Sequence, residues 1–493
     1  MARFKNVERD QSLLIPVNYR DQLIPGTIEF AIDDIVENYI DTSIFYKKYS
    51  NDRTGAKAYD PSILLKIILL AYSKGLHTSR KIEELCETNI LFMAVSGNAR
   101  PDHSTIASFV SSMKDEITEI FSDILLRCAQ LNLIGGEIFA LDGCKISSNA
   151  AKEMSGTIEE LGRKKEKLKT MCISIIESHA MNDRNEERET LEKRIEKYRR
   201  KIEKIDTFLK TAEARKGKRG RENKSNITDN ESAKMKSNHG MIQGYNGIAV
   251  VDDKNQVIVN AEAFGQGQEG DLLPELIDKT KISMRSIQNE WTFENTKVIA
   301  DTNYFSESNC EYLMKNEIDG YIPDVQFRKR DPRFPDDYPF RKSVKKNLFG
   351  HGDFIFNSET NTYICPTGNI LKYDGKKNIH GYIGRRYVVK DGSCCTCYRK
   401  TECLKKGAKA RTVFFTDIAK AKTYSELMIE KIDSQHGRNI YSQRMGIIEP
   451  VFANIRYCKS LDRFTMRGKD KVNIQWMLFC SVHNIEKTLK AAA

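Results

Sequence analysis

The chain has 493 residues, enough for two to four domains at roughly 150 residues each, with 40% hydrophobic and 30% charged residues. Its formal net charge of +11 fits a polyanionic partner, and it fits plain solubility equally well. No stretch approaches the roughly 20 apolar residues of a membrane span, and residues 1–20 carry no apolar signal core, so the expectation is a cytoplasmic chain without a membrane partner, whose 12 cysteines need an explanation other than disulfides.

Residues 28–135 read as helical. Apolar residues recur at helical spacing in FAIDDIVENYI and PSILLKIILLAY, and Asp60 followed by Pro61 is a helix start. HTSRKIEELC and RPDHSTIASFVSSM are two further short helices. Short helices joined by tight turns suit a helix-turn-helix DNA reader and a plain small bundle alike. EIFALDGCKISS then reads as a strand. Residues 157–216 are charged and helical, with Leu161, Leu168, Cys172 and Ile175 on one seam and Leu191, Ile195, Tyr198, Ile202, Ile205 and Leu209 on another. They predict an antiparallel hairpin turning at MNDRN (181–185), inserted into another domain as a spacer or a partner-binding arm. The basic run ARKGKRGRENKSN follows as a loop.

YNGIAVVDD and NQVIVNAEAF predict a β-hairpin turning at Asp253 to Asn255. GDLLPELIDKTKISMRSI is a helix, TKVIAD a buried strand, and Ser306 opens the next helix before the strand GYIP. Residues 137–323, less the insertion, read β-ββ-α-β-α-β, an α/β mixed sheet with flanking helices. Residues 325–412 read as polar, basic and irregular. From 420 the chain is helical through Glu449 to VNIQWMLFCSVHNIEKTLK.

Asp142 and Asp301 each close a strand-like run, IFALD and KVIAD. Open sheets present functional groups at strand ends. If the two strands are neighbours, the carboxylates converge and repel unless a cation bridges them. Mg²⁺, or Mn²⁺, suits such an oxygen site. A third carboxylate from a helix would complete a site for two ions about 4 Å apart; Glu449, in YSQRMGIIEPVF, is the candidate. Cys394, Cys397 and Cys403 follow a C-x2-C-x5-C spacing, with Cys365 ahead of them in YICPTG. In a reducing compartment that pattern predicts a structural Zn²⁺ site, in which Cys395 is the alternative to Cys394. His239, in SNHGMIQGYN, reads as a structural hydrogen-bonding residue, and no spacing suggests a Ser/His/Cys triad.

Several segments, in this order, resemble the DDE transposases of bacterial insertion sequences, in particular the subgroup with a Cys-rich insertion before the catalytic Glu. They are AYDPSILLKIILLAYSKGLHTSRKIEELCETNILFMAVSG with PDHSTIASF, FALDGCKISSNAA, TDNESAKMKSNHGMIQGYNGIAVVD, VIADTNYFSESN, and YSQRMGIIEPVFANIRY with DRFTMRGKDKVNIQWMLFCSVHNIEK. The resemblance implies a ribonuclease-H-like core in which Asp142, Asp301 and Glu449 hold two divalent metal ions. The family's signature tyrosine, arginine and lysine fall on Tyr441, Arg444 and Arg456. Four residues, not the usual three, separate Arg444 from Glu449, and Arg456 stands where lysine is usual. Arg463, Arg467, Lys469 and Lys471 would add contacts to the DNA backbone, or form a solvated basic turn.

The domains implied are an N-terminal helical, DNA-end-binding domain (1–135) and a catalytic core (136–155 and 225–325). A coiled-coil-like hairpin (156–224), a zinc-binding insertion (326–415) and a helical part carrying Glu449 (416–493) complete the chain. The implied partners are the terminal inverted repeats and target DNA, held by a homodimer when DNA is bound, in a bacterial cytoplasm and on the nucleoid. Two other functions share these features: an end-binding protein without chemistry, and a metal-dependent nuclease without strand transfer.

Overall fold

The computed structural model describes residues 18–49, 57–179, 185–215, 220, 222–237, 240–288, 291–331, 348–379, 382–405, 407–416 and 422–492. His239, residues 181–184 of the predicted hairpin turn, and residues 216–219 and 221 of the basic run lie outside them. The chain divides into two units, residues 1–324 with 428–493, and residues 325–427.

In the first unit, α1 (Ile28–Asn38) opens at Thr27, whose hydroxyl accepts from the Phe30 amide at 3.3 Å. α2 (Pro61–Ser73) opens at Asp60, which accepts from the Ser62 amide at 2.8 Å, with Pro61 in the first turn. Leu64 to Tyr72 are buried without a break, so α2 is covered on every side. The charge within that run, Lys66, is paired with Asp33 and Glu37. α3 (Ser79–Thr88), α4 (Ile90–Ser96), α5 (His103–Ser112) and α6 (Glu116–Gln130) complete the helical layer.

The sheet begins with β1 (Ile138–Ser147), continues with β2 (Ala233–Ser237), β3 (Gly240–Asp252) and β4 (Ile258–Phe264), and ends with β5 (Lys297–Ala300) and β6 (Asp319–Tyr321). β4, β3, β1, β5 and β6 lie side by side, with β2 folded back on the start of β3. β4, β3 and β1 run antiparallel; β1, β5 and β6 run parallel. The order of strands and helices follows the sequence expectation, with β2 as an addition. Between β1 and β2 the chain runs out into α7 (Ile158–His179) and back through α8 (Asn185–Thr211). Leu161, Cys172, Ile195 and Ile205 are buried. The short ribbon pairing Ser155–Gly156 with Ser225–Asn226 ties the foot of this hairpin.

Further along are α9 (Leu273–Ile287), α10 (Glu307–Lys315), α11 (Tyr424–Asp433), α12 (Gln435–Ser442), α13 (Arg444–Ala453) and α14 (Lys469–Ala492). α14 is the keystone of the unit, packing against α2, α6 and β4. Asn484 accepts from the Ile258 amide and donates to the Ile258 carbonyl, both at 2.8 Å, and Asn473 accepts from the Ala263 amide at 2.9 Å. The free edge of β4 is thereby bonded to helix side chains. The Trp476 indole N–H donates to the Ile248 carbonyl at 3.0 Å, and its ring lies where a Cβ on Gly247 would stand, 2.9 Å away.

The second unit corrects the expectation of an irregular stretch. It holds a five-stranded antiparallel sheet, β7 (Ile355–Asn357), β8 (Thr362–Ile364), β9 (Ile370–Ile379), β10 (Tyr382–Val388) and β11 (Thr412–Thr416), paired in the order β11, β10, β9, β8, β7. Its core is small, comprising Phe354, Leu371, Tyr387, Val389, Cys394 and Val413. With so little apolar surface to bury, the two longest strands carry charged and polar residues such as Lys372, Asp374, Lys376, Lys377, Arg385 and Arg386, and the alternation is diluted below recognition. No helix among the described residues of either unit is long and apolar enough to cross a membrane.

Candidate active site

Parallel pairing of β1 with β5 sets Leu141 opposite Ala300. The next residue of each strand is an aspartate, so Asp142 and Asp301 are neighbours where β5 ends. Arg444, the first residue of α13, reaches both. Its Nη1 is 2.6 Å from Asp142 Oδ2 and its Nη2 is 4.0 Å from Asp301 Oδ1. Asp142 Oδ1 accepts from the Gly143 amide at 2.8 Å, and Asp301 Oδ2 accepts from Asn303 Nδ2 at 3.2 Å. Burial pushes the Asp142 carboxyl above its usual range; Arg444 and the Gly143 amide pull it down, while Asp301 adds to the rise. The aspartates in turn hold the Arg444 guanidinium firmly protonated despite its burial. Burial also raises the Tyr441 hydroxyl, which sits within the field of Arg444 and Asp301.

Glu449 does not join this contact set. It is exposed, and none of the described hydrogen bonds or ion pairs links it to either aspartate. Helical geometry accounts for this. The residue four on from Arg444 shares its face, and that residue is the fully buried Ile448, which packs with Ile447 and Val451. The extra residue in the spacing carries Glu449 about 100° further round. Arg456, one turn beyond α13, reaches the Cys144 thiol, two residues along β1 from Asp142. Arg463 Nε donates to the Ser148 carbonyl at 2.9 Å and Arg467 Nε to the Asn149 carbonyl at 2.6 Å, so both lie along the exit of β1. Lys471 is exposed on the first turn of α14.

A residue that the sequence reading passed over is closer to the aspartates. Glu269 lies in the loop GQGQEGD between β4 and α9 and is 3% exposed. Its Oε1 accepts from Asn246 Nδ2 at 2.9 Å. Burial first, and then Asp142, push its carboxyl up to about 7, with Asp301 adding to the effect. The signal in the sequence was the three glycines around it. Gly265, Gly267 and Gly270 leave no room for a Cβ, which would meet the Glu231 carbonyl, Met235 and the Asn303 carbonyl respectively. As they stand, no three carboxylates, histidines or cysteines among the described residues are drawn into metal-coordinating geometry.

In the second unit, Cys365, Cys394, Cys397 and Cys403 line one cavity of about 20 Å³, together with Arg399, Lys400 and Arg411. Cys395 is exposed and its thiol faces the Lys409 carbonyl instead, 3.5 Å away. The turn after β8 folds on Cys365: its amide donates to the Asn369 carbonyl at 2.9 Å, and Gly368, at φ +85°, donates to the Cys365 carbonyl at 2.8 Å. Asn369 N donates to Cys365 Sγ at 3.3 Å, and Thr367 Oγ1 lies 3.1 Å from Cys365 Sγ and 3.7 Å from Cys397 Sγ. Burial works to raise the Cys365 thiol, but hydrogen bonds from Thr367 and Asn369 hold it below its usual value. Burial and the other three thiols raise Cys403, against the pull of Arg411.

The strand-end expectation holds for Asp301 alone: β1 runs on to Ser147, which leaves Asp142 mid-strand, beside the point where β5 stops. A mixed α/β core with two neighbouring aspartates on adjacent strands and a helix-borne arginine over them is consistent with the ribonuclease-H-like core that the resemblance implies. Residues 18–112 match the family described as Transposase domain (DUF772), and residues 364–489 match the family described as Transposase DDE domain. Both matches are to transposase families, and together they support a DDE transposase of the insertion-sequence type. The second match contains Tyr441, Arg444, Glu449, Arg456 and the four clustered cysteines. A comparison with curated proteins gives no match.

Proposed function

We propose that this transposase binds the ends of an insertion sequence, cleaves them, and joins the freed 3′ ends to target DNA, with Asp142 and Asp301 as the central metal-holding carboxylates. The observation that carries this reading is the pairing of two aspartates on adjacent strands, both partly buried and sharing one guanidinium. Carboxylate oxygens are the donors that Mg²⁺ or Mn²⁺ prefers. Such ions, when bound, supply activation of the attacking oxygen and stabilisation of the leaving one. Arg444 screens the two carboxylates from each other, and with Tyr441 it borders the place where the scissile phosphate would lie. Glu449 enters the proposal through the family signature, as the carboxylate on the helix between Arg444 and Arg456. Arg456, Arg463, Arg467 and Lys471 would hold DNA phosphates, which position a strand without reading its sequence.

The four thiols around one cavity suit a structural Zn²⁺. Four thiolates on one zinc would leave two negative charges, which Lys400 and Arg411, lining the same cavity, would help to offset; Arg399 there is paired with Glu402. The ion would reinforce a unit in which the sheet's core cluster, among the described residues, is six buried side chains.

Labelled element ends and a supercoiled target plasmid test the reading. Wild-type protein yields cleaved ends and joined product. Asp142→Asn, Asp301→Asn and Glu449→Gln each bind ends but cleave none. Near-normal cleavage by any one of them removes that residue from the site. Cleavage without joining would make the protein a nuclease, and binding alone an inactive descendant. Because two ends must be held together, light scattering is expected to show two chains per complex with end DNA.

A further inference from the structure

We propose that Glu269 is a metal-holding carboxylate of the same site, contributed by the loop between β4 and α9. The inference rests on the reading of Asp142 and Asp301 given above. Two contacts fix the place of Glu269. On one side its Oε1 is bonded to Asn246 Nδ2 at 2.9 Å, and the Asn246 amide lies so close to Gly143 that a Cβ there would be 2.7 Å away. On the other side the following residue, Gly270, is pressed against the turn after Asp301: a Cβ on it would stand 3.0 Å from the Asn303 carbonyl. Asn309 Nδ2 bonds both the Gly270 and the Tyr304 carbonyls and holds the two segments together. Glu269 is therefore wedged between the residue after Asp142 and the turn after Asp301.

Its second oxygen, Oε2, is buried and has no hydrogen-bond partner among the described residues. The Tyr304 hydroxyl is fully buried, equally without a hydrogen-bond partner among the described residues, and lies within the electrostatic reach of Glu269, Asp142 and Asp301. Buried polar groups in native proteins are almost always satisfied. Two unsatisfied oxygens beside three carboxylates mark a place built for a cation. Arg444 serves Asp142 and Asp301, and none of the described ion pairs reaches Glu269. A divalent ion held by Glu269 and the aspartates would satisfy Oε2 and offset the repulsion that burial magnifies.

The test uses the full chain, zinc-loaded, in buffer passed over a chelating resin, with Mn²⁺ as the probe and the melting temperature as the readout. Wild-type protein is stabilised by Mn²⁺. Glu269→Gln keeps the bond from Asn246 and removes the charge, so without Mn²⁺ it melts at or above the wild-type temperature. It then needs at least about tenfold more Mn²⁺ for the same rise, the lower end of what loss of even an outer-shell partner costs. Asp142→Asn loses the rise altogether. A Glu269→Gln titration equal to wild type overturns the inference while leaving the aspartate reading intact. An Asp142→Asn titration equal to wild type overturns both. If Glu269→Gln does not fold, Glu269→Asp is read in its place: one methylene too short, it should weaken Mn²⁺, and an unchanged titration sinks the proposal.

Discussion

Replacing Arg444 with methionine removes one guanidinium and leaves two aspartates facing each other. The gross attraction between unit charges at the 2.6 Å separation of Arg444 and Asp142 is roughly 6 kcal/mol at an effective dielectric near 20. Desolvation offsets part of this. Removing one partner of a fully buried pair costs about 3–5 kcal/mol. Here the side chains retain 11% and 18% of their exposure, which places the expected loss somewhat lower, at about 2–3 kcal/mol. The assay is urea denaturation in divalent-free buffer, followed by tryptophan fluorescence. Both tryptophans, Trp291 and Trp476, are buried in the unit that holds the mixed sheet, so the signal reports that unit alone. In an Asp142→Asn background the same substitution should cost less than half as much, because the main partner charge is already gone. A loss within about 0.5 kcal/mol of zero, or an equal loss in both backgrounds, would refute the idea that the guanidinium screens the aspartates.

Gly247→Ala places a Cβ 2.9 Å from the Trp476 ring; we expect about 1–3 kcal/mol of destabilisation and an altered tryptophan emission, and unchanged emission would mean the ring can move aside. Burial holds His77 below its ordinary pKa, against the Gly75 backbone and Asp462. A depressed histidine stabilises the fold fully above its unfolded value of 6.5 and loses that contribution as pH falls through the folded value, so wild-type protein should weaken below pH 6.5 more steeply than His77→Asn. Parallel melting curves across that range would contradict this. Protein purified without chelator should carry about one zinc per chain. Cys397→Ser should carry less than half of that and become protease-sensitive within residues 349–411, whereas zinc-free wild-type protein would remove the zinc reading.

What could be read from the sequence and what could not divide along physical lines. Asp142 and Asp301 were legible because each closes a short apolar run, a local pattern; for Asp301 that run is the end of β5, while β1 continues past Asp142 to Ser147. That the two strands are neighbours is a matter of topology, which the β-ββ-α-β-α-β order constrains tightly. Glu269 was not legible as a site residue. Its loop looks like any glycine-rich connection until Asn246 and Asn309 are seen to hold it. The second sheet escaped notice because β9 and β10 are crowded with lysine and arginine. Their buried residues, Leu371 and Tyr387, are too few to impose an alternating pattern. The irregular spacing between Arg444 and Glu449 was visible in the sequence. Its consequence, the exposure of Glu449 on another face of α13, needed the burial of Ile448 to become plain.

The clamp of Asn473 and Asn484 on β4 bears on what a shortened product would do. A premature stop or frameshift ahead of residue 469 would still yield every strand of the mixed sheet. It would also remove the side chains bonded to the outer edge of β4, and the Trp476 ring that lies over Gly247. Ile258 to Phe264 are buried throughout in the intact chain, so truncation would bare a largely apolar strand with an unpaired outer edge, a template for sheet-to-sheet aggregation. Damaged copies of the gene would then yield insoluble protein, not a partial transposase able to occupy ends without cutting them.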